Sequence, residues 1–210
     1  MKSILKSVAL ATASILVLPN LVSYRVRSAF MGPDRALEGS TQLLSLIPGL
    51  LGEYLRRAFL CRVLESCDAS VTIGFGTLLS KAGSSLGANV VIGPRCHLGW
   101  VFIERDVLIG PGCHLPSGAQ THGTAGVDRS IRDQPGTLRQ IRIGAGTWVG
   151  SAAIVMADVG SDSIIAAGSV VHESIPAGVL AGGVPARVLK RRSADSTVKP
   201  KEALAHVPAR

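Results

Sequence analysis

Aromatic side chains are scarce in this 210-residue chain: Phe, Trp and Tyr together make up 4% of it. A core cannot be assembled from so few rings, so Val, Ile, Leu and Ala must fill it. Charge is also thin, at 17% against 47% hydrophobic residues. That balance excludes intrinsic disorder for most of the chain, because disordered chains lack such apolar surface. The four cysteines, Cys61, Cys67, Cys96 and Cys113, form no CxxC pair. Neither a zinc ribbon nor a disulfide scaffold is supported. The 24 glycines follow no Gly-X-Y period, which excludes collagen. No apolar run reaches the roughly 20 residues that a bilayer span needs.

What charge there is sits unevenly. The formal net charge is +8, and the segment from Arg187 onward supplies most of it through Arg187, Lys190, Arg191, Arg192, Lys199, Lys201 and Arg210. Residues 193–210 read as a flexible basic tail. It is either a solvated tail or a contact for an anionic ligand such as a phosphate, or for a membrane surface. No aromatics interleave with these charges, and no helix-turn-helix, zinc-finger or RNA-binding signature appears, so nucleic acid is not an expected partner.

Residues 1–30 predict a hydrophobic N-terminal helix. Lys2 and Lys6 precede an apolar stretch from Val8 to Leu18, which Pro19-Asn20 interrupts. Tyr24-Arg25-Val26-Arg27 is a poor exit for a cleaved signal peptide. The segment reads as an uncleaved membrane anchor, as an interfacial helix, or as an ordinary helix packed on the domain. Residues 31–70 predict an amphipathic helical segment. Leu43, Leu46, Ile47, Leu50, Leu51, Leu55 and Phe59 recur at helical spacing, with a break at Pro48-Gly49 and with Arg56 and Arg57 near the polar edge. Such a segment fits a membrane interface, and equally a cap on a repeat domain.

From Val71 the texture changes. An aliphatic residue, mostly followed by Gly, recurs at six-residue steps: Ile73-Gly74, Leu79, Leu86-Gly87, Ile92-Gly93, Leu98-Gly99, Ile103, Ile109-Gly110 and Leu115. After a gap the series resumes at Ile143-Gly144, Val149-Gly150 and Val155, then Val159-Gly160, Ile165 and Val171. Small or short side chains such as Thr77, Cys96, Cys113, Thr147 and Ser169 fall four residues after an aliphatic. A six-residue period is three strand periods and no helical one. It predicts short strands with the aliphatic inward and Gly at each corner, where a Cβ would be strained. Three hexads make a triangular coil, and coils stack into a quasi-one-dimensional prism. Cys96 and Cys113 read as packing residues.

This pattern over 71–192 resembles the hexapeptide-repeat acyltransferases, whose fold is a left-handed parallel β-helix. The resemblance is nearest to the galactoside, maltose and xenobiotic O-acetyltransferase branch. It is carried by three segments: the excursion 116–142 with Thr-His122-Gly, the coil Ile143-Gly-Ala-Gly-Thr-Trp148-Val149-Gly150-Ser151, and the run Ile165-Ala-Ala-Gly-Ser-Val-Val171 through Ala181-Gly-Gly-Val-Pro185-Ala186-Arg187. The resemblance implies a homotrimer, acetyl-CoA as acyl donor and His122 as general base. Acyl transfer to a hydroxyl needs a base for the hydroxyl proton, and imidazole has its pKa near the working pH. Ser151, Ala167 and Arg187 match positions that contact acetyl-CoA in the family, and Lys190 matches a basic position near its phosphates. Trp148 is expected either to wall the acceptor or CoA site or to pack on an outer face.

Two features depart from the family. His172-Glu173 stands where relatives carry Thr/Ser-Lys, and the step from Val155 to Val159 is four residues. His97 and His114 read as outward-facing and structural, with His114 a second candidate base.

The resulting expectation is an acyl-CoA-dependent O-acyltransferase. Its acceptor would be a sugar hydroxyl of an exopolysaccharide, lipopolysaccharide or glycolipid precursor, met at the inner face of the cytoplasmic membrane. The alternatives are a small soluble acceptor (a xenobiotic, a free sugar or an amino sugar), a non-catalytic scaffold, or a metal-binding β-helix. For the last, His97, His114 and His122 are the available ligands, at spacings unlike that family's, and no metal is expected.

Overall fold

The computed structural model describes residues 10–192. The start of the N-terminal apolar stretch and the basic tail lie outside the described residues. Residues 10–16 are helical and lead into α1 (Leu18–Met31), followed by α2 (Pro33–Ser45) and α3 (Gly49–Val63). The break at Pro48-Gly49 separates α2 from α3. Gly32 (φ +83°) turns α1 back against α2.

From Ser66 the chain winds a prism of about six turns with three parallel faces. Face 1 carries Cys67, Leu86, Ile103 and Ile143, continued by single bridges at Val159 and Ile175. Face 2 carries Ile73, Ile92, Ile109, Val149, Ile165 and Ala181. Face 3 carries Leu79, Leu98, Leu115, Val155 and Val171. Apart from the half-buried Cys67, these aliphatics are buried in one continuous core, as the six-residue period predicts. An antiparallel hairpin of Val179–Gly183 and Ala186–Arg191 closes the far end.

The corner glycines act differently from the expectation. The Gly after each inward aliphatic does not adopt the left-handed conformation. It is small because the next coil lies on top of it: a Cβ on Gly110 would meet Ser151 N at 2.6 Å, and one on Gly150 would meet Ala167 N at 2.5 Å. The left-handed residue falls two positions later, third after the aliphatic of faces 1 and 2. There Asn89, Arg95, Asp106, Ala152 and Asp162 share the role with glycines such as Gly112 and Gly146. The small-residue ladder also has a bonding logic. Between faces 2 and 3, Thr77 Oγ1 donates to the Gly93 carbonyl at 2.7 Å, Cys96 Sγ to Gly110 at 3.2 Å and Cys113 Sγ to Gly150 at 3.1 Å. The buried hydroxyl and thiols thus satisfy carbonyls of the following coil. The Cys113 thiol and burial together push the Cys96 thiol well above its ordinary pKa, in keeping with a packing role.

Stacked coils exchange hydrogen bonds in both directions: Gly74 N–H donates to Ile92 O at 2.8 Å, and Arg95 N–H to Phe75 O at 2.8 Å. The first coil has no coil before it, and on that open edge the helices supply donors to its carbonyls. Arg56 Nε donates to Ile73 O at 2.9 Å, and Arg57 Nη1 to Val71 O at 3.4 Å. Thr41 Oγ1 donates to Leu79 O at 3.1 Å. Arg56 Nη1 also reaches Ile47 O at 2.8 Å and Leu44 O at 3.1 Å. A guanidinium suits this edge because it carries five donors and no acceptor. Arg56 and Arg57 are thus buried, at 2% and 8% exposure, and do not lie on a polar edge. Their helix caps the repeat domain.

Candidate active site

The excursion from Leu115 to Ile141 leaves the prism at the corner between faces 3 and 1. Its two arms pair, with Arg139 N–H donating to Ser117 O at 2.8 Å and Thr137 N–H to Gln120 O at 2.7 Å. The Gln134 side chain organises the tip, accepting from Ala125 N–H and donating to Gly126 O and Arg129 O. The returning arm is pinned to the next coil by an Arg139–Asp158 ion pair, and Asp158 Oδ1 also accepts from Arg142 N–H at 2.9 Å. His122 sits exposed where the first arm gives way to the tip. Close packing at Gly136, where a Cβ would meet Thr121 O at 2.1 Å, fixes the backbone beside it.

Ser151 and Ala167 come together at the corner between faces 2 and 3. They are exposed on consecutive coils, with Gly168 N–H donating to Ser151 O at 2.8 Å. Because Gly150 admits no side chain, this edge is a ledge of backbone and small groups. Arg187 follows on the closing hairpin, in register with Gly182. Its Nη1 donates to Glu173 Oε2 at 3.3 Å, so the departure noted at Glu173 has a direct consequence: an acidic group occupies the guanidinium. Trp148 stands half-exposed on the outer side of face 2, in register with Ile164; Ile164 pairs with Leu180, and Leu180 pairs with Lys190 across the hairpin. Trp148 and Lys190 therefore share one outer ladder. His122 does not join either group. Within one chain the width of face 3 separates its excursion from the Ser151–Ala167 edge.

One feature was not anticipated from the sequence. His97 and His114 lie one above the other on face 3, with ring centroids 6.2 Å apart and edge-to-face. With Ser80, Pro116, Ser117 and Ile154 they line a cavity of about 370 Å³ beside the root of the excursion. The signal was present: His97-Leu98 and His114-Leu115 occupy the same outward position in successive coils. Both do face outward, as expected, but onto a concave surface. No group of three or more His, Cys, Asp or Glu side chains that could hold a metal occurs among the described residues.

The six-residue steps, the close-packed glycines and the closing hairpin form a left-handed parallel β-helix of hexapeptide repeats, the fold of the solved structures it resembles. No protein-family profile matches it. Its solved likenesses include a hexapeptide-repeat acetyltransferase from Vibrio cholerae O1 biovar eltor in complex with acetyl-CoA, with a TM-score of 0.65 at 22% identity, covering 79% of this chain and 92% of that one. A maltose O-acetyltransferase from Clostridium difficile 630 gives a TM-score of 0.64 at 19% identity, over 73% and 82%. Among curated proteins, the galactoside O-acetyltransferase of Escherichia coli K12 is 44% identical over 52 residues, 24% of this chain. The match spans about a quarter of that relative's length, 26%.

Proposed function

We propose that this protein is an acetyl-CoA-dependent O-acetyltransferase with His122 as general base. The observation that carries the reading is the ledge of Ser151 and Ala167. An extended, amide-bearing pantetheine arm needs exposed backbone and small side chains, and this edge offers both. Arg187 and Lys190 supply cations for the phosphates, and Trp148 offers an apolar wall on the neighbouring face. The likeness to acetyltransferases supports the same donor.

In the reaction, the acceptor hydroxyl oxygen attacks the thioester carbonyl carbon. His122 takes the hydroxyl proton as the C–O bond forms, and the oxyanion is met by a backbone N–H. The tetrahedral intermediate then expels CoA as thiolate, which takes the proton back from the imidazolium. The ester product and free CoA result.

His122 and the ledge lie on different edges of one prism, so a complete site requires the groove between two copies. A homotrimer, in which each excursion reaches a neighbour's ledge, meets that requirement. The acceptor in this reading is a sugar hydroxyl of an exopolysaccharide, lipopolysaccharide or glycolipid precursor, approached from the inner face of the cytoplasmic membrane. The apolar N-terminal region supports a membrane-borne acceptor. A small soluble sugar is the second reading, favoured by the 52-residue match to a galactoside enzyme.

The test is a thermal-shift titration with acetyl-CoA, run on the wild type and on His122→Ala. Saturation at about 100 times the dissociation constant adds roughly 2.7 kcal/mol to a protein that binds only when folded. Both proteins should respond alike, while His122→Ala loses about 10²- to 10⁴-fold in turnover of the acceptor. No stabilisation of either protein would remove the acyl-CoA reading.

A further inference from the structure

The outer side of α1 and of the helical turns before it is apolar, and no described residue covers it. Ile15, Leu18, Val22, Val26 and Phe30 follow one another at three- and four-residue steps and form a single stripe. Val22, Val26 and Phe30 are 61%, 54% and 86% exposed. The opposite side, through Ala13, Val17, Leu21 and Tyr24, is buried against the protein, where the Tyr24 ring meets Phe59 edge-on at 5.7 Å. Exposed Leu43, Leu46, Leu50 and Leu51 lie around the α2–α3 junction, and because α1 and α2 are antiparallel that junction is near the N-terminal end of α1.

Charge identifies the occupant. The first 33 residues hold Lys2, Lys6, Arg25 and Arg27 and no Asp or Glu. On the helical wheel, Arg25 and Arg27 fall on opposite borders of the stripe. Arg27 is tied back to Ser40 Oγ at 2.7 Å, and Arg25 is exposed. An apolar stripe with cationic borders and no acidic group matches an anionic bilayer surface. No helix among the described residues is long and apolar enough to cross a membrane, and the buried side of this one is packed on the protein.

We infer that the Ile15–Phe30 stripe is an interfacial docking face that lays this protein on an anionic membrane with α1 in the plane of the headgroups. The inference deepens the proposed function, since it gives the membrane-borne acceptor a place to be met, and it rests on that reading only for its purpose.

The test is co-sedimentation of the full chain with phosphatidylcholine vesicles, with and without phosphatidylglycerol. The wild type should pellet with the phosphatidylglycerol vesicles and be released by salt. Val22→Asp/Val26→Asp and, separately, Phe30→Ser should stay in the supernatant, the double variant with at least about tenfold weaker partition. Arg25→Gln should weaken it about fivefold. The substituted side chains are exposed, so melting temperature and the acetyl-CoA response should not change; measured on the same samples, that response reports separately on the enzymatic reading. The inference is overturned if the wild type ignores both vesicles or if the variants pellet as it does. It is equally overturned if light scattering without lipid shows the wild type losing mass on Val22→Asp/Val26→Asp, which would assign the stripe to a second copy of the chain.

Discussion

Between faces 1 and 2, and between faces 2 and 3, the step from one inward aliphatic to the next is six residues in every coil. Between faces 3 and 1 it is seven, five, twenty-eight, four and four, as in Leu79–Leu86, Leu98–Ile103, Leu115–Ile143, Val155–Val159 and Val171–Ile175. The four-residue step after Val155 is therefore no local distortion. It is one value at a corner that varies throughout. The two regular corners are held by backbone contact: a Gly too close to the next coil to bear a side chain, a left-handed residue two positions on, and buried hydroxyls or thiols bonded across. The third corner is held by side chains, each differently. Trp100 Nε1 donates to Gly83 O at 2.9 Å, Trp100 N–H to Ser117 Oγ at 2.9 Å, and Asp158 fastens the excursion. A corner closed by side chains can change length without disturbing its neighbours, and there the chain carries its excursion and His122.

The sharpest way to break the comparison is to insert the same Gly-Ser pair at two places. After Gly146, at a regular corner, it shifts the coil out of register, and we expect loss of cooperative unfolding or a destabilisation of several kcal/mol. After Asp128, at the excursion tip, it lengthens a loop and costs about 0.5 kcal/mol or less. Calorimetry of the two insertions separates them, and equal effects would erase the distinction.

Next in size is the cap on the N-terminal end. Arg56→Leu removes the donor from the carbonyls of Ile73 and Ile47, and should cost about 3 kcal/mol or more in denaturant unfolding. The glycine roles give a smaller, opposed pair. Gly150→Ala forces two coils apart and should cost about 2 kcal/mol or more. Ala152→Gly, only two residues away, relieves a left-handed alanine (φ +58°) and should stabilise by about 1 kcal/mol or less. If both substitutions move stability in the same direction, the two glycine positions do not have separate roles.

The prism was legible because each inward residue is aliphatic and the period is rigid. Ile73, Ile92 and Ile109 need no tertiary information to be placed on one face. The excursion was legible as a gap in that period. The reason for the glycines was not, because contact with the next coil cannot be seen in a hexad taken alone; only the positive φ at Arg95 or Asp106 reveals where the turn lies. Arg56 and Arg57 were misplaced for a related cause. Helical spacing marks them as polar, while the unpaired carbonyls that bury them belong to strands some 15 residues away in sequence. The Arg187–Glu173 ion pair and the His97–His114 cavity are likewise products of stacking.

The central claim is that His122 and the Ser151–Ala167 ledge serve one site contributed by two chains. The most direct measurement is subunit complementation by co-expressing His122→Ala with Ala167→Trp, each inactive alone, the first without its base and the second with its ledge blocked. In mixed assemblies an intact excursion from one chain meets an intact ledge from another, so acetyl transfer should return to a measurable fraction of wild type. If the mixture stays as inactive as its parents while mixed assemblies demonstrably form, the site lies within a single chain and the account is wrong.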